Sequence, residues 1–313
     1  MSKSFLITTE APSWCPLPSA NGGDSPELSN PANQGPRPEA LAPDQRPPQA
    51  PPSPTAWLNP QLVRLADPAA VADWVAAELL AERRQRPQRP LGLATGRTME
   101  PIYARLAQLV WGLAAAQQQD LRNHWSSFNL DDYIGLAPAD PRSFKAEMAS
   151  RLGLPLGLDP ERVHLPDGGA ADPEAAAGDY AKALSAAGGI GLQLLGLGLN
   201  GHVGFNEPPC GPESRCRVLN LSATTRQQNA AGFGGDPELV PRRAITLGLA
   251  EILAAERILL VVTGAAKAEV LARLLLQPPT PALPASWIKL HPAAVVVADE
   301  AALGGTRSAR QGS

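Results

Sequence analysis

Three cysteines in 313 residues are too few, and too oddly placed, to hold this chain together covalently. Cys15, Cys210 and Cys216 match no metal knuckle, so reduced thiols and no metal are expected. Positive charge is not in excess either: 27 Lys and Arg against 30 Asp and Glu leave a formal net charge of −3. The basic footprint of a nucleic-acid binder is therefore missing. No window approaches the roughly eighteen apolar residues of a membrane helix, and the FLI near Met1 is shorter than a signal-peptide core. A soluble, cytoplasmic protein with no membrane partner is expected. Large apolar side chains are scarce in the first fifty-odd positions, where ANQGPRPEALAPDQRPPQAPPSPTAW cannot offset its ordering entropy by burial. Residues 1–56 thus read as a disordered Pro-rich tail, 57–305 as one folded domain and 306–313 as a flexible C-terminus.

From Trp57 onward, apolar blocks alternate with longer amphipathic ones. PAAVADWVAAELLAERR (68–84) places Val71, Trp74, Val75, Leu79 and Leu80 at helical spacing. RPLGLATG (89–96) follows as a short apolar run ending in glycine. The alternation recurs through SSFNL (126–130), PEAAAGDYAKALSAAG (173–188), IGLQLLGLGL (190–199), RRAITLGLAEIL, RILLVVTG and AAVVVAD. Runs such as LLVVTG are apolar throughout, as strands buried on both faces must be. This predicts an α/β fold: a doubly wound, mostly parallel sheet with helices on both faces, a Rossmann-like three-layer sandwich.

In such sheets ligands sit beyond the carboxyl ends of the strands, so the residues just after each strand carry the chemistry. They are Thr95, Gly96, Arg97 and Thr98; Asp131 and Asp132; Asn200, Gly201 and His202; and Gly264 with Lys267. A glycine and two threonines leading into a helix form an anion site suited to phosphate, although no Walker lysine follows and a plain threonine cap also fits. Lys267 and Arg226 can supply the positive charge a sugar phosphate requires, or stand as solvated surface charges. Asp131 and Asp132 are adjacent and point opposite ways in an extended chain. One of the two is expected to face the ligand, where a carboxylate is a candidate general base for a proton next to a carbonyl; a turn-capping role suits Asp132 better than Asp131. In LGLGLNGHVGFNEP (195–208), glycines 201 and 204 let the backbone approach a ligand, and Glu207 can fold back to hold the His202 tautomer. An inert loop histidine is the alternative.

The blocks LGLATGRT, FNLDDYIGL, LLGLGLNGHVGFNEP, SRCRVLNLSATTRQQNA, VPRRAITLGLAEIL, ILLVVTGAAKAEVL and LHPAAVVVADEAA run in the order seen in the glucosamine-6-phosphate deaminase (isomerase) family, which the chain resembles from about Trp57 to Leu303. The resemblance implies conversion of glucosamine 6-phosphate and water to fructose 6-phosphate and ammonia, with no cofactor, by a monomer or homo-oligomer. It makes Asp131 the base that moves a proton between carbons 2 and 1, and His202 the residue that opens the pyranose ring. Asn200 and Glu207 would orient and tune His202, while Thr95, Gly96, Arg97, Thr98, Arg226 and Lys267 would cradle the phosphate. Some positions depart from the family pattern. Asn200 stands where many members have Asp, which predicts a less basic His202. DDY replaces DEY, Arg97 replaces a small residue, Met99 replaces a helix-starting Pro, and Leu219 replaces the Lys of members activated by N-acetylglucosamine 6-phosphate. The related 6-phosphogluconolactonases typically read DGHTASLFP where this chain has NGHVGFNEP.

Overall fold

A computed structural model describes Ile7–Thr8 and residues 57–137 and 139–304. Its strands are β1 (Ile7–Thr8), β2 (Gln61–Leu65), β3 (Leu91–Leu93), β4 (Ser127–Asn129), β5 (Asp131–Tyr133), β6 (Val163–His164), β7 (Leu192–Gly196), β8 (Arg217–Asn220), β9 (Arg243–Thr246), β10 (Arg257–Val262) and β11 (Ala294–Asp299). Its α-helices are α1 (Pro68–Gln85), α2 (Glu100–Trp111), α3 (Ala115–Asn123), α4 (Phe144–Met148), α5 (Leu154–Leu156), α6 (Pro173–Ala186), α7 (Ala223–Asn229), α8 (Leu249–Leu253) and α9 (Ala268–Leu276).

The main sheet has the order β1-β2-β11-β10-β7-β3-β4-β6, and every pair in it is parallel. Its central strands are the apolar runs singled out in the sequence: Ile258 to Val262 of β10 and Val296 to Ala298 of β11 are fully buried. The helix expected at 68–84 is α1. Asp67 caps it by accepting from Ala70 N at 2.8 Å, Pro68 begins it, and Val71, Val75 and Leu79 face the core. The strand β2 was not anticipated from the sequence. Nor was β1, a two-residue strand within the stretch expected to be a tail, which runs parallel to Leu62–Val63. The rest of that stretch, with Cys15, and the expected flexible C-terminus lie outside the described residues.

Chain order and strand order together locate the crevice. From β3 the chain proceeds outward to β4 and β6, then returns to β7 on the other side of β3 and continues through β10 to β11. The direction of winding therefore reverses between β3 and β7, which are paired through Leu91↔Leu192 and Gly92↔Gln193. Loops leaving these two strands diverge and open a cleft at the carboxyl edge.

The antiparallel part of the fold is a separate three-stranded sheet, β5-β9-β8. After β4, Leu130 bridges the sheets: its N–H donates to Leu93 O at 3.0 Å and its carbonyl accepts from Leu247 N at 2.7 Å. The chain then enters β5, where Asp131 pairs with Thr246. Tyr133, Phe205 and Phe233 pack with Val240 and Ala244 in a second small core beside this sheet.

Candidate active site

Three loops from the main sheet and one strand of the small sheet meet at the cleft. The Thr95–Thr98 loop joins β3 to α2. Tyr103 pins it from below by donating to Ala94 O, and Met99 N donates to Gly96 O at 2.8 Å. On its open side the Gly96 N–H donates to Glu147 Oε1 at 3.0 Å.

The histidine loop leaves β7 and folds back on itself, with Gly198 N donating to His202 O at 2.9 Å and Gly201 N to Gly198 O at 3.0 Å. The imidazole lies directly over Gly198, where a Cβ would come within 2.3 Å of the ring; any side chain there would expel it. Asn200 Oδ1 accepts from the backbone N–H of His202 at 3.2 Å and sits 2.6 Å from its Nδ1. A group that accepts from a backbone N–H is the amide oxygen, so Nδ1 carries the proton and Nε2 presents its lone pair. Burial, helped by the charge of Lys267 and opposed by Glu207, brings the pKa of His202 down to about 4. The imidazole is thus neutral at physiological pH.

Glu207 does not hold the imidazole, contrary to the expectation from sequence. Both its oxygens are used at the start of α7, accepting from Ser222 N at 2.9 Å, Ser222 Oγ at 2.6 Å and the Thr225 hydroxyl. Asn200 is the partner that selects the tautomer, and Glu207 acts on His202 only through its charge.

Asp131 comes from β5, buried at 5 % exposure. A Cβ on Gly204 would lie 3.1 Å from Asp131 Oδ2 and 3.2 Å from Thr246 Oγ1, so glycine there lets the histidine loop pass against the carboxylate. Burial, then the charge of Asp132, pushes its pKa well above the ordinary carboxylate value; the Phe205 N–H pulls the other way. Asp132 is turned to a different task. It accepts from Tyr133 N at 2.7 Å, Phe144 N at 3.0 Å and Lys145 N at 3.2 Å, and so ties β5 to the start of α4.

Lys267 follows β10. The preceding turn is anchored by the buried Asp299, whose two oxygens accept from Gly264 N at 3.1 and 3.0 Å. Burial, and then the neighbouring Arg97, lower the Lys267 pKa. The charge of Lys267 thus acts on His202, and that of Arg97 on Lys267. Arg226 has partners of its own: its guanidinium donates to Pro237 O at 3.1 Å and pairs with Glu238 at 3.0 Å.

Thr246, Asn206 and Glu147 shape the site without having been singled out for it. Thr246 accepts from Phe205 N at 3.3 Å. Asn206 is fully buried, donates to Val203 O and Leu247 O at 3.1 and 2.9 Å and accepts from Arg217 at 3.0 Å. Local pattern carried little signal for these roles, because all the partners except Val203 come from other segments. Cys210 and Cys216 are both free. Among the described residues, no group of three or more His, Cys, Asp and Glu is placed to hold a metal, and no helix is long and apolar enough to cross a membrane.

The family model described as glucosamine-6-phosphate isomerases/6-phosphogluconolactonase matches residues 66–297. A glucosamine-6-phosphate deaminase of Rhodopirellula baltica is 45% identical over 228 residues, 73% of this chain and 88% of the relative. A solved monomeric glucosamine-6-phosphate deaminase is 34% identical, with a TM-score of 0.73 over 78% of this chain and 99% of its own. The 6-phosphogluconolactonase of Trypanosoma cruzi, 16% identical, shares the fold with a TM-score of 0.62 over 80% of this chain and 97% of its own. On the match over residues 66–297 and the identity to these deaminases, the chain belongs to the glucosamine-6-phosphate isomerase/6-phosphogluconolactonase family.

Proposed function

We infer that this chain is a glucosamine-6-phosphate deaminase, converting glucosamine 6-phosphate and water to fructose 6-phosphate and ammonia. The observation that carries this reading is the contact of the histidine loop with Asp131 at Gly204, which sets a buried carboxylate beside the loop that carries a neutral imidazole. The deaminase relatives support the choice of substrate.

The substrate phosphate is held by the Thr95–Thr98 loop with Lys267 and Arg97. Arg226 can join only by exchanging its Glu238 partner for the ligand. Nε2 of His202 takes the proton of the anomeric hydroxyl and returns one to the ring oxygen, opening the pyranose. In the open aldehyde the proton on carbon 2 is acidic, and Asp131 moves it to carbon 1 through an enediol-like intermediate. The imine left at carbon 2 takes up water and releases ammonia. Asp131 must be ionised to begin this, and the cationic amine of the substrate favours that form against burial and the charge of Asp132. Each step is a proton transfer, or the addition of water and loss of ammonia, that these side chains can assist; the cytoplasm is the compartment this reading implies.

Purified protein is expected to release ammonia from glucosamine 6-phosphate and to leave 6-phosphogluconolactone at its spontaneous hydrolysis rate. Fast lactone hydrolysis without ammonia would instead assign it to the other branch of the family.

A further inference from the structure

Glu147 lies in α4, whose first turn is fixed by Ser143 Oγ, accepting from Ala146 N at 3.1 Å, and by Asp132. From there its carboxylate reaches the Gly96 N–H of the phosphate loop. Among the described residues no Lys or Arg forms an ion pair with Glu147; Arg151, in the turn that follows, is bridged to Glu100 at 3.3 Å. A half-buried carboxylate with one backbone donor, and with Arg151 acting on it only from a distance, is a costly arrangement. It is also the arrangement of an anion bound to this loop, because the donor it occupies is one that a helix-leading loop offers to phosphate. One N–H cannot serve both, and a phosphate dianion set beside the carboxylate would meet like charge.

We propose that Glu147 is an affinity-determining residue that occupies the phosphate loop as an internal anion and yields it to the phosphate of the substrate. The inference rests on the deaminase reading only in placing the phosphate at Thr95–Thr98.

The test compares the full-length chain with Glu147→Gln and Glu147→Ala, using calorimetric titration with inorganic phosphate and steady-state ammonia release from glucosamine 6-phosphate. Glu147→Gln keeps an oxygen for Gly96 and removes the charge, so it decides the matter should Glu147→Ala melt early. Both variants are expected to bind phosphate about tenfold more tightly, the counterpart of one charge-assisted hydrogen bond, with KM falling by a similar factor. Unchanged or weaker phosphate binding in folded variants would overturn the proposal and make Glu147 a prop for the loop. Tighter phosphate binding in protein that releases no ammonia would uphold the proposal and remove the deaminase reading. Ammonia release without tighter binding in the variants would do the reverse.

Discussion

The two sheets contribute to the site in different ways. The parallel sheet works through its ends: the phosphate loop after β3, the histidine loop after β7 and the Lys267 turn after β10 all project from strand termini into the cleft. The antiparallel sheet works through its body, since Asp131 is itself a strand residue, paired with Thr246 and buried. Loop residues at strand ends are partly solvated, keep room to adjust and grip a ligand. A residue locked in a ladder is fixed, dry and perturbed, which suits a base that must take a proton from carbon. The division predicts that substrate grip and C–H chemistry can be damaged separately.

The largest effect is expected from Asp131→Asn, which should lower kcat by about 10²–10⁴-fold with little change in KM. Exchange of the substrate's carbon-2 proton with deuterated solvent, followed by NMR, should stop; continued exchange would move the base out of the small sheet. Lys267→Ala probes the other side. It should lower kcat/KM by about 10–100-fold, mainly through KM, while weak binding of unphosphorylated glucosamine stays as it was. A loss confined to kcat would mean that the parallel sheet does more than hold the phosphate.

The smallest effect sharpens the electrostatics of β5. Burial and the charge of Asp132 hold the Asp131 pKa above the ordinary carboxylate range. The proposed mechanism needs the ionised form, so it predicts that kcat/KM is lost as pH falls through that raised value. Asp132→Asn removes the like charge and keeps an oxygen for the start of α4. The acid limb should then move to lower pH, and a limb that stays put would leave burial and the charge of Glu147 as the causes.

Much of the parallel sheet was legible in the sequence because its signals are local. An apolar run buried on both faces reads as a central strand, and glycine, threonine and histidine just beyond it read as a ligand edge. A less basic His202 was expected from Asn200; Asn200 does hold Nδ1, but what lowers the pKa is burial and the charge of Lys267. The small sheet was not legible. DDY is three residues long, and nothing near it announces that its partner is RAIT, more than a hundred positions away. The partner of Glu207 was misplaced for the same reason, and the Glu238 partner of Arg226 was not anticipated. Ser222, Thr225 and Glu238 compete for them only once α7 and its following loop are folded against the site.

By itself, then, the sequence determined the layered α/β class, the order of the strand-end loops and the residue types at the ligand edge, since these follow from periodicity and from glycines that permit close approach. Tertiary structure alone decided which carboxylate faces the histidine loop, which oxygen orients His202, and that Glu147 rests on the phosphate loop. Those outcomes depend on competition among donors and acceptors from distant segments, and hydrogen-bond partners and burial are properties of the assembled site.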